Sequence, residues 1–388
     1  MGVVNIESGS MERKSVSILG ATGSIGDSTL DLIRHHIDKY HVKVLTAGSN
    51  VEKLIALTNE FKPEVIAIAD DANYQHLKSQ CPNVKILTVG EAASVDADWT
   101  MAAIVGTAGL TPTMNAIKRG GQVAFASKEC LVAAGGIMMN AVKTYGTTLL
   151  PVDSEHNAIF QVFDNAQRQS INRLIITASG GPFNTWSWAD MTKATPAQAV
   201  AHPTWSMGAK ISVDSASLMN KALEVIEAHY LFDMPSEKID VVVHPQSLIH
   251  SMVEYADGSI LSQMGPSDMR TPIANCLSWP NRIETSGDLL DFTKVSQMTF
   301  ETPDTEKFKS LKIVRDVMAQ GQAASIIFNA SNEIANKAFL GGQISFTTIY
   351  DVIESALENI EDVPIKTIED VISLDNMARD KTLERLNT

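Results

Sequence analysis

A glycine-rich turn directly after the first strand-like run is the feature that most constrains the fold. The run 16-VSIL-19 leads into 20-GATGSIG-26, and an amphipathic segment, 28-STLDLIRHH-36, follows. Glycines there let the backbone approach a pyrophosphate, while the helix start supplies N–H groups and a positive dipole. Because the turn opens a helix within a βαβ unit, a dinucleotide site is favoured over an ordinary strand–helix turn. The loop residues predicted to contact the cofactor are Thr22, Gly23, Ser24 and Ile25.

The chain up to about residue 126 alternates short β-rich runs with amphipathic stretches such as 51-VEKLIALTNEF-61. Such alternation predicts βαβ units and a parallel sheet. We therefore expect an α/β protein whose N-terminal part, residues 13–150, is a Rossmann-like nucleotide-binding domain. Its predicted strands are 16–19, 42–47, 65–69, 84–88, 102–105 and 123–126.

The pattern changes after Pro151. Two strand-like runs, 249–255 and 259–264, flank the turn sequence Ala256-Asp257-Gly258 and predict a hairpin. With further runs at 173–178 and 239–244, they indicate a second α/β domain with antiparallel pairing over residues 151–280, which the family resemblance given below implies is the catalytic domain. Residues 281–305 lack periodicity and are predicted to connect it to a C-terminal helical bundle over 306–388, whose apolar stripes recur at helical spacing.

The end of the second predicted strand indicates which dinucleotide binds. NAD enzymes usually place an acidic residue there, on the ribose 2′-hydroxyl. This strand ends 46-TAGSN-50, without an acid that would repel a 2′-phosphate, which favours NADPH. No Arg or Lys occupies the tip either, so we expect Gly48, Ser49 and Asn50 to line the site, with side-chain hydrogen bonds from the last two.

Two carboxylates, Asp153 and Glu155, follow an apolar run in 149-LLPVDSEHNAIFQ-161. In an extended chain they would share one face. A third, Glu224, lies on a predicted helix over 213–232 that begins near Asp214 or Ser215. Three oxygen ligands with open positions suit Mg²⁺ or Mn²⁺. From the pattern alone, a metal site and solvated surface charges remain comparable alternatives.

Two segments have the chemistry of a phosphate site. In 177-TASGGPF-183 a strand runs into consecutive glycines whose N–H groups can form an anion nest, although an ordinary turn is an equal alternative. On the predicted helix, Lys221 has hydroxyl and amide donors nearby in Ser215 and Asn220. A solvated lysine is the competing interpretation.

The segment 202-HPTWSMGAK-210 is predicted to be a loop with apolar tips, Trp205 and Met207. Such a loop suits a lid that closes over a ligand, with anchoring of the loop in the core as the alternative. Lys128, in 126-ASKEC-130, follows the last predicted strand of the nucleotide domain and could reach a substrate. Alone, it would more often be a surface lysine.

The net charge and the cysteine content limit the classes of partner and the cellular compartment that the sequence allows. The net charge of −14 argues against nucleic-acid binding through the overall field. Three widely separated cysteines suit a reducing cytoplasm rather than a disulfide framework. No apolar run reaches the roughly 18 residues of a membrane span. Residues 1–12 lack a signal-peptide core and are excluded from fold reasoning as an extension; without a transit peptide, a bacterial cytoplasm is expected.

The chain resembles the 1-deoxy-D-xylulose 5-phosphate reductoisomerases of the non-mevalonate isoprenoid pathway. The resemblance covers nearly the whole chain in family order, on the segments GATGSIGDSTLD, SKECLV, PVDSEHNAIFQ, ASGGPF, HPTWSMGAKISVDSASLMNKALEVIEA, HPQSLIHSMVEYADGS and DMRTPIA. It implies a homodimer that rearranges its sugar phosphate substrate, reduces it with NADPH, and yields 2-C-methyl-D-erythritol 4-phosphate.

The resemblance also implies residue roles. Asp153, Glu155 and Glu224 would bind one Mg²⁺ or Mn²⁺ and, with Lys128, form the catalytic set. The implied substrate contacts are Ser154, Ser179, Ser215, Asn220 and Lys221, with His202, Trp205 and Met207 in the lid; Ser127, Glu129 and Gly208 would approach the cofactor. The family commonly has Asn where this chain has Ser127, and Lys where it has Ser49.

Two other functions remain open from the sequence. A semialdehyde or homoserine-type dehydrogenase would share a nucleotide domain but need no divalent metal. A non-catalytic nucleotide sensor would bind the cofactor without turnover.

Overall fold

The structure is a computed structural model that describes residues 13–205, 207–358 and 363–387. The excluded leader, residues 1–12, lies outside the described residues, as does Ser206 in the predicted lid. Residues 359–362 and 388 of the predicted C-terminal bundle also lie outside them.

The first part of the chain forms a seven-stranded sheet built around its first strand. The strands are β1 (Lys14–Leu19), β2 (Tyr40–Ala47), β3 (Val65–Ile68), β4 (Lys85–Ile86), β5 (Trp99–Ala102), β6 (Gln122–Phe125) and β7 (Thr148–Pro151). They lie in the order β4-β3-β2-β1-β5-β6-β7, and the pairs of β1 with β2 and β5 are parallel. Because the order runs outwards from β1 in both directions, the glycine turn after β1 lies at the switch point where such sheets bind nucleotides.

Helices connect these strands, as the alternating pattern predicts. They are α1 (Ser24–His35), α2 (Val51–Phe61), α3 (Tyr74–Gln80), α4 (Val89–Ala93), α5 (Leu110–Arg119) and α6 (Lys128–Tyr145). The helix α1 buries Leu30 and Ile33, while β1 buries Val16 and Ile18 completely. Burial on both faces explains why the strands are continuous apolar runs.

One strand begins three residues earlier than the sequence predicts. The sequence favoured 102–105, but β5 covers Trp99–Ala102. The reason is Trp99, which is fully buried and donates its indole N–H to the Cys276 carbonyl oxygen at 3.0 Å. The acidic residues just before Trp99 obscured this start in the sequence.

The remainder of the chain combines a smaller sheet with ten helices among the described residues. The strands are β8 (Ile171–Ala178), β9 (Ile239–Val243), β10 (Ile249–Tyr255) and β11 (Ile260–Met264), in the order β11-β10-β8-β9. The predicted hairpin is confirmed, because β10 and β11 pair antiparallel, whereas β8 and β9 pair parallel. The helices are α7 (Ser154–Val162), α8 (Trp188–Met191), α9 (Pro196–Val200), α10 (Ala209–Ala216), α11 (Met219–Phe232), α12 (Arg270–Ser278), α13 (Ser310–Gln320), α14 (Gln322–Leu340), α15 (Thr348–Leu357) and α16 (Ile368–Leu386).

The prediction of one helix over 213–232 was wrong. The chain forms α10 and α11 with a corner at Ser217-Leu218, where Leu218 adopts a left-handed conformation with φ of 54°. Two hydroxyl groups hold this corner: Tyr350 and Ser310 each donate to the Ser217 carbonyl oxygen at 3.0 Å. These contacts come from distant residues, so the local helical pattern did not reveal the break.

The described chain divides into two compact units. The first contains the described residues up to Ala126, with Thr144–Leu150 and Ile273–Ser286; the second contains Ser127–Lys143, Pro151–Pro272 and the described residues from Gly287 onwards. The sequence-based boundaries at residues 150, 280 and 305 stay a prediction. In the described part of 281–305 there is neither helix nor strand beyond one bridge, between Glu301 and Val243. No helix among the described residues is both long and apolar enough to cross a bilayer.

Replacing Tyr350 with Phe should lower the free energy of unfolding of the second unit by about 1 kcal/mol, the usual net contribution of one neutral hydrogen bond. The ring volume is kept, and the Ser217 carbonyl retains the Ser310 hydroxyl as a partner. Urea denaturation followed by tryptophan fluorescence measures the change, because the Trp188 ring stacks on Tyr350 at 6.0 Å. Tyr74→Phe, at an exposed tyrosine, is the control, and equal stability of both variants would contradict the prediction.

Candidate active site

Three carboxylates predicted to act together do meet in the second unit. Asp153 caps the start of α7, Glu155 lies in its first turn, and Glu224 projects from α11. One oxygen from each can be chosen so that all three lie within 4.8 Å of one another. The geometric reason given by the sequence was wrong, since Glu155 is helical rather than extended. The helix turn, not strand alternation, brings it beside Asp153.

Two buried lysines partly neutralise these acids. Lys128 forms ion pairs with Asp153 and with Glu224, the latter at 3.0 Å. Lys221 pairs with Glu155 at 2.8 Å and also with Glu224. Three carboxylates against two ammonium groups leave one formal negative charge uncompensated. Since buried charges are costly unless paired, a further cation at this cluster would offset that charge.

The pKa values follow from this crowding. Burial, and then the neighbouring Glu224 charge, raise the pKa of Glu155 above its usual range. Burial also disfavours the charged form of Asp153, but Lys128 and His156 outweigh it and lower its pKa. The neighbours of Asp153 and Glu155 therefore shift the pKa values of these two carboxyl groups in opposite directions.

The sequence missed a second buried pair behind the cluster. His156 Nδ1 lies 3.1 Å from Glu227 Oε2, and His156 Nε2 lies 2.9 Å from the Glu224 carbonyl oxygen. Glu227 outweighs burial and raises the pKa of His156 to about 9. The spacing of Glu224 and Glu227, three apart on α11, was the available signal.

Asp153, His156 and Glu227 also lie close enough to share an ion. However, His156 and Glu227 are essentially inaccessible, whereas the side chains of Asp153 and Glu155 are 15% and 19% exposed. A catalytic cation needs positions open to substrate. The set Asp153, Glu155 and Glu224 fits that requirement, and the His156–Glu227 pair supports it from behind.

The residues predicted to grip phosphate surround the end of α10. The turn after β8 bends so closely that a Cβ on Gly181, which has φ of 65°, would lie 2.8 Å from the Ser215 carbonyl oxygen. Ser179 in that turn therefore lies near the end of α10. Asn220 and Lys221 occupy the first turn of α11, where Asn220 accepts from Lys128 at 2.9 Å and donates to Glu224. The Ser154 hydroxyl donates to Glu155 at 2.6 Å.

The predicted lid packs onto this region through His202. Its Nε2 lies 2.9 Å from the Ser179 hydroxyl, and its Nδ1 accepts from the Trp205 N–H at 2.9 Å. The Trp205 ring lies 6.1 Å from the ring of His250. Met207 follows, half-buried, and Gly208 caps α10.

Among the predicted cofactor contacts in the second unit, Glu129 is buried and accepts from Lys210 at 2.7 Å; Ser127 is buried beside it in sequence. Glu129 is thus held by the second residue of α10, because the last two residues of the predicted loop 202–210 are helical.

The glycine turn in the first unit has the shape that the sequence predicts. Gly20 has φ of 91°, and a Cβ there would lie 2.6 Å from the Ala103 carbonyl oxygen, so only glycine fits. Thr22 precedes Gly23, which caps α1, and Ser24 and Ile25 form the first residues of that helix. Gly48 and Ser49 are exposed after β2, and Asn50 caps α2 by accepting from the Lys53 N–H at 3.1 Å.

Comparisons with known proteins match this arrangement along the chain. The family model described as 1-deoxy-D-xylulose 5-phosphate reductoisomerase matches residues 16–135, and models of the C-terminal domains of these enzymes match 149–232 and 264–381. A protein of that name from Zymomonas mobilis is 52% identical over 372 residues, which cover 94% of this chain and 96% of the relative. The chain belongs to the 1-deoxy-D-xylulose 5-phosphate reductoisomerase family.

Further members of the family are similar to this chain over nearly its whole length. The relative from Rhodospirillum centenum is 51% identical, over 94% of this chain and 92% of its own length. A solved reductoisomerase from Zymomonas mobilis in complex with NADPH has a TM-score of 0.92 at 49% identity, covering 97% of this chain and all of that one. A reductoisomerase in complex with NADPH, fosmidomycin and magnesium has a TM-score of 0.93 at 40% identity, covering 96% and 98%.

Replacing Glu155 with Gln should weaken Mn²⁺ binding by about a hundredfold, because the number of charged oxygen ligands sets affinity for such cations. Isothermal titration of metal-stripped protein with Mn²⁺ measures it. Glu254→Gln is the matched control, since Glu254 pairs with Arg173 on the smaller sheet, away from the cluster. Equal affinities in the two variants would contradict a ligand role for Glu155.

Proposed function

We propose that this chain converts 1-deoxy-D-xylulose 5-phosphate into 2-C-methyl-D-erythritol 4-phosphate, using NADPH and one divalent cation, Mg²⁺ or Mn²⁺. The observation that carries the proposal is the buried cluster of Asp153, Glu155 and Glu224, with its uncompensated charge and partly open face. Family membership supports it, as do the NADPH and magnesium complexes of the related proteins.

The carboxylates and lysines divide the work at the reacting end of the substrate. Asp153, Glu155 and Glu224 would hold the cation, which supplies Lewis-acid polarisation and a template for neighbouring substrate oxygens. Since Lys128 and Lys221 pair with these carboxylates, neutralisation of the acids would free both ammonium groups for the substrate. Lys128, with Ser154, would then orient the substrate backbone.

The phosphate end of the substrate is held by Lys221 together with three hydrogen-bond donors. Lys221 supplies the charge, while Asn220, Ser215 and Ser179 supply hydrogen bonds from α11, α10 and the turn after β8. Binding energy from this remote group can be used to close the lid. His202 already contacts the Ser179 hydroxyl, so movement of His202, Trp205 and Met207 would follow phosphate binding and exclude water.

NADPH supplies the hydride. In the first unit Thr22, Gly23, Ser24 and Ile25 would hold its pyrophosphate at the start of α1, and Gly48, Ser49 and Asn50 its adenosine end. We also propose Ser127, Glu129 and Gly208 as cofactor contacts. The proposal also divides the chain into parts. It assigns residues 13–150 to NADPH binding, 151–280 to catalysis, 281–305 to a connecting segment and 306–388 to a helical domain.

A homodimer in a bacterial cytoplasm completes the proposal. The strand β11 is an edge of its sheet, and its Ile260 and Leu261 are 50% and 47% exposed. Apolar edge strands readily pair with another chain, so we propose that a second copy covers this edge.

Light scattering should give twice the chain mass for the wild type, and Leu261→Lys should shift the measured mass towards that of the monomer. A monomeric wild type would contradict this part.

Glu224→Gln should lower turnover by at least about a hundredfold, because charge stabilisation by a metal contributes several kcal/mol. Binding of NADPH, measured by fluorescence titration, should remain nearly intact. The assay follows NADPH absorbance with 1-deoxy-D-xylulose 5-phosphate, after EDTA treatment and after Mn²⁺ is restored.

Wild-type oxidation should require the restored metal. Oxidation that persists without metal would favour a simple dehydrogenase. Folded wild-type protein that binds NADPH yet never turns over would favour a nucleotide sensor. Equal loss of turnover and NADPH binding in Glu224→Gln would contradict the role of Glu224.

A further inference from the structure

The tip of β2 lacks a basic residue, yet the structure places a lysine beside it. Lys53 lies in the first turn of α2, and its ammonium group donates to the Thr22 carbonyl oxygen at 3.1 Å. It also pairs with Asp27 of α1 at 2.5 Å. Thr22 belongs to the glycine turn, so the Lys53 side chain reaches from the end of β2 to that turn.

We propose that Lys53 binds the 2′-phosphate of NADPH and thereby selects this cofactor over NADH. In Rossmann-type sites the adenosine ribose lies between the end of β2 and the glycine turn, and charge at that point distinguishes the two cofactors. The inference rests on the proposed use of NADPH. It assigns to Lys53 the charge that Ser49, at the strand tip, cannot supply.

The backbone aims Lys53 in this direction. Asn50 caps α2 by accepting from the Lys53 N–H, which fixes Lys53 as the third residue of the helix. Side chains on a helix tilt towards its N-terminus, so the lysine stem leans back over the tip of β2. The tip itself is held, because Asn73 donates to the Ser49 carbonyl oxygen at 3.3 Å.

The charges around Lys53 leave it available to an incoming phosphate. Its side chain is 34% exposed, and that of its partner Asp27 is 49% exposed. Ion pairs this exposed are weak, so a phosphate with up to two negative charges can compete with one carboxylate. The adjacent acid, Glu52, lies 2.9 Å from His76, which draws its charge towards α3.

A purely structural role is the alternative, in which Lys53 only ties α2 to α1 through Asp27. The two roles differ in what Asp27 should do. If the tie matters, removing either partner should have the same effect. If Lys53 binds phosphate, only removal of the lysine should weaken NADPH binding.

The test measures dissociation constants of NADPH and NADH by fluorescence titration of the full chain. Lys53→Met should raise the constant for NADPH by about tenfold to a hundredfold, the range of a lost hydrogen bond to a charged group. The constant for NADH should stay unchanged. Adenosine 2′,5′-bisphosphate should compete with NADPH on the wild type and lose that competition on Lys53→Met.

Three further variants complete the test. Lys53→Arg should retain the preference for NADPH, and Asp27→Asn should not weaken NADPH binding. Lys78→Met, at an exposed lysine on α3, controls for the general loss of one positive charge.

Three outcomes would each overturn the assignment. In the first two, Lys53→Met changes the dissociation constants of NADPH and NADH in parallel, or changes neither. In the third, Asp27→Asn weakens NADPH binding as much as Lys53→Met does. Wild-type protein that fails to bind NADPH at all would instead contradict the proposed function. The two failures are therefore distinguishable.

Discussion

Mutual repulsion among Asp153, Glu155 and Glu224 is the constraint around which the second unit is organised. Bringing these acids together away from bulk water is unfavourable unless opposite charges accompany them. Lys128 and Lys221 meet this need, and each bridges two of the acids. The elements that carry these five side chains must therefore converge, which explains why α6, α7 and α11 all begin at the cluster.

A second polar network supports the same region from the C-terminal helices. Asp214 on α10 accepts from Asn332 and Asn336 of α14 at 3.0 and 2.9 Å. Lys210, four residues earlier, lies 2.9 Å from Asp214 and reaches Glu129 at 2.7 Å. Polar contacts at Lys210 and Asp214 thus tie α10 to α14 and to Glu129.

Local patterns predicted most of the fold. The glycine turn, the hairpin at Asp257-Gly258 and the amphipathic stripes of α13 to α15 are signals contained within a few residues. The failures share a different cause. The corner at Leu218 depends on Tyr350, the start of β5 depends on a buried Trp99, and the helical start of α7 places Glu155 by a turn that no alternation rule describes.

The same limit applies to the site. The meeting of Asp153, Glu155 and Glu224 could be predicted from sequence because they lie in polar segments of unusual composition, and the phosphate contacts stay a prediction. His156 with Glu227, and Lys53 with Thr22, could not, because their meaning comes from a partner far along the chain. A lysine three positions beyond a strand tip looks like any solvated helix charge until the fold shows where its ammonium group lies.

The corner between α10 and α11 gives the C-terminal helices an indirect part in the chemistry. Ser215 lies just before it, and Asn220, Lys221 and Glu224 lie just after, so its angle sets how the proposed phosphate donors lie relative to the acids. Hydroxyl groups of Tyr350 and Ser310 hold that angle, from positions beyond residue 305. A chain truncated at residue 305 would retain every side chain assigned to the reaction and lose the support that keeps them in register.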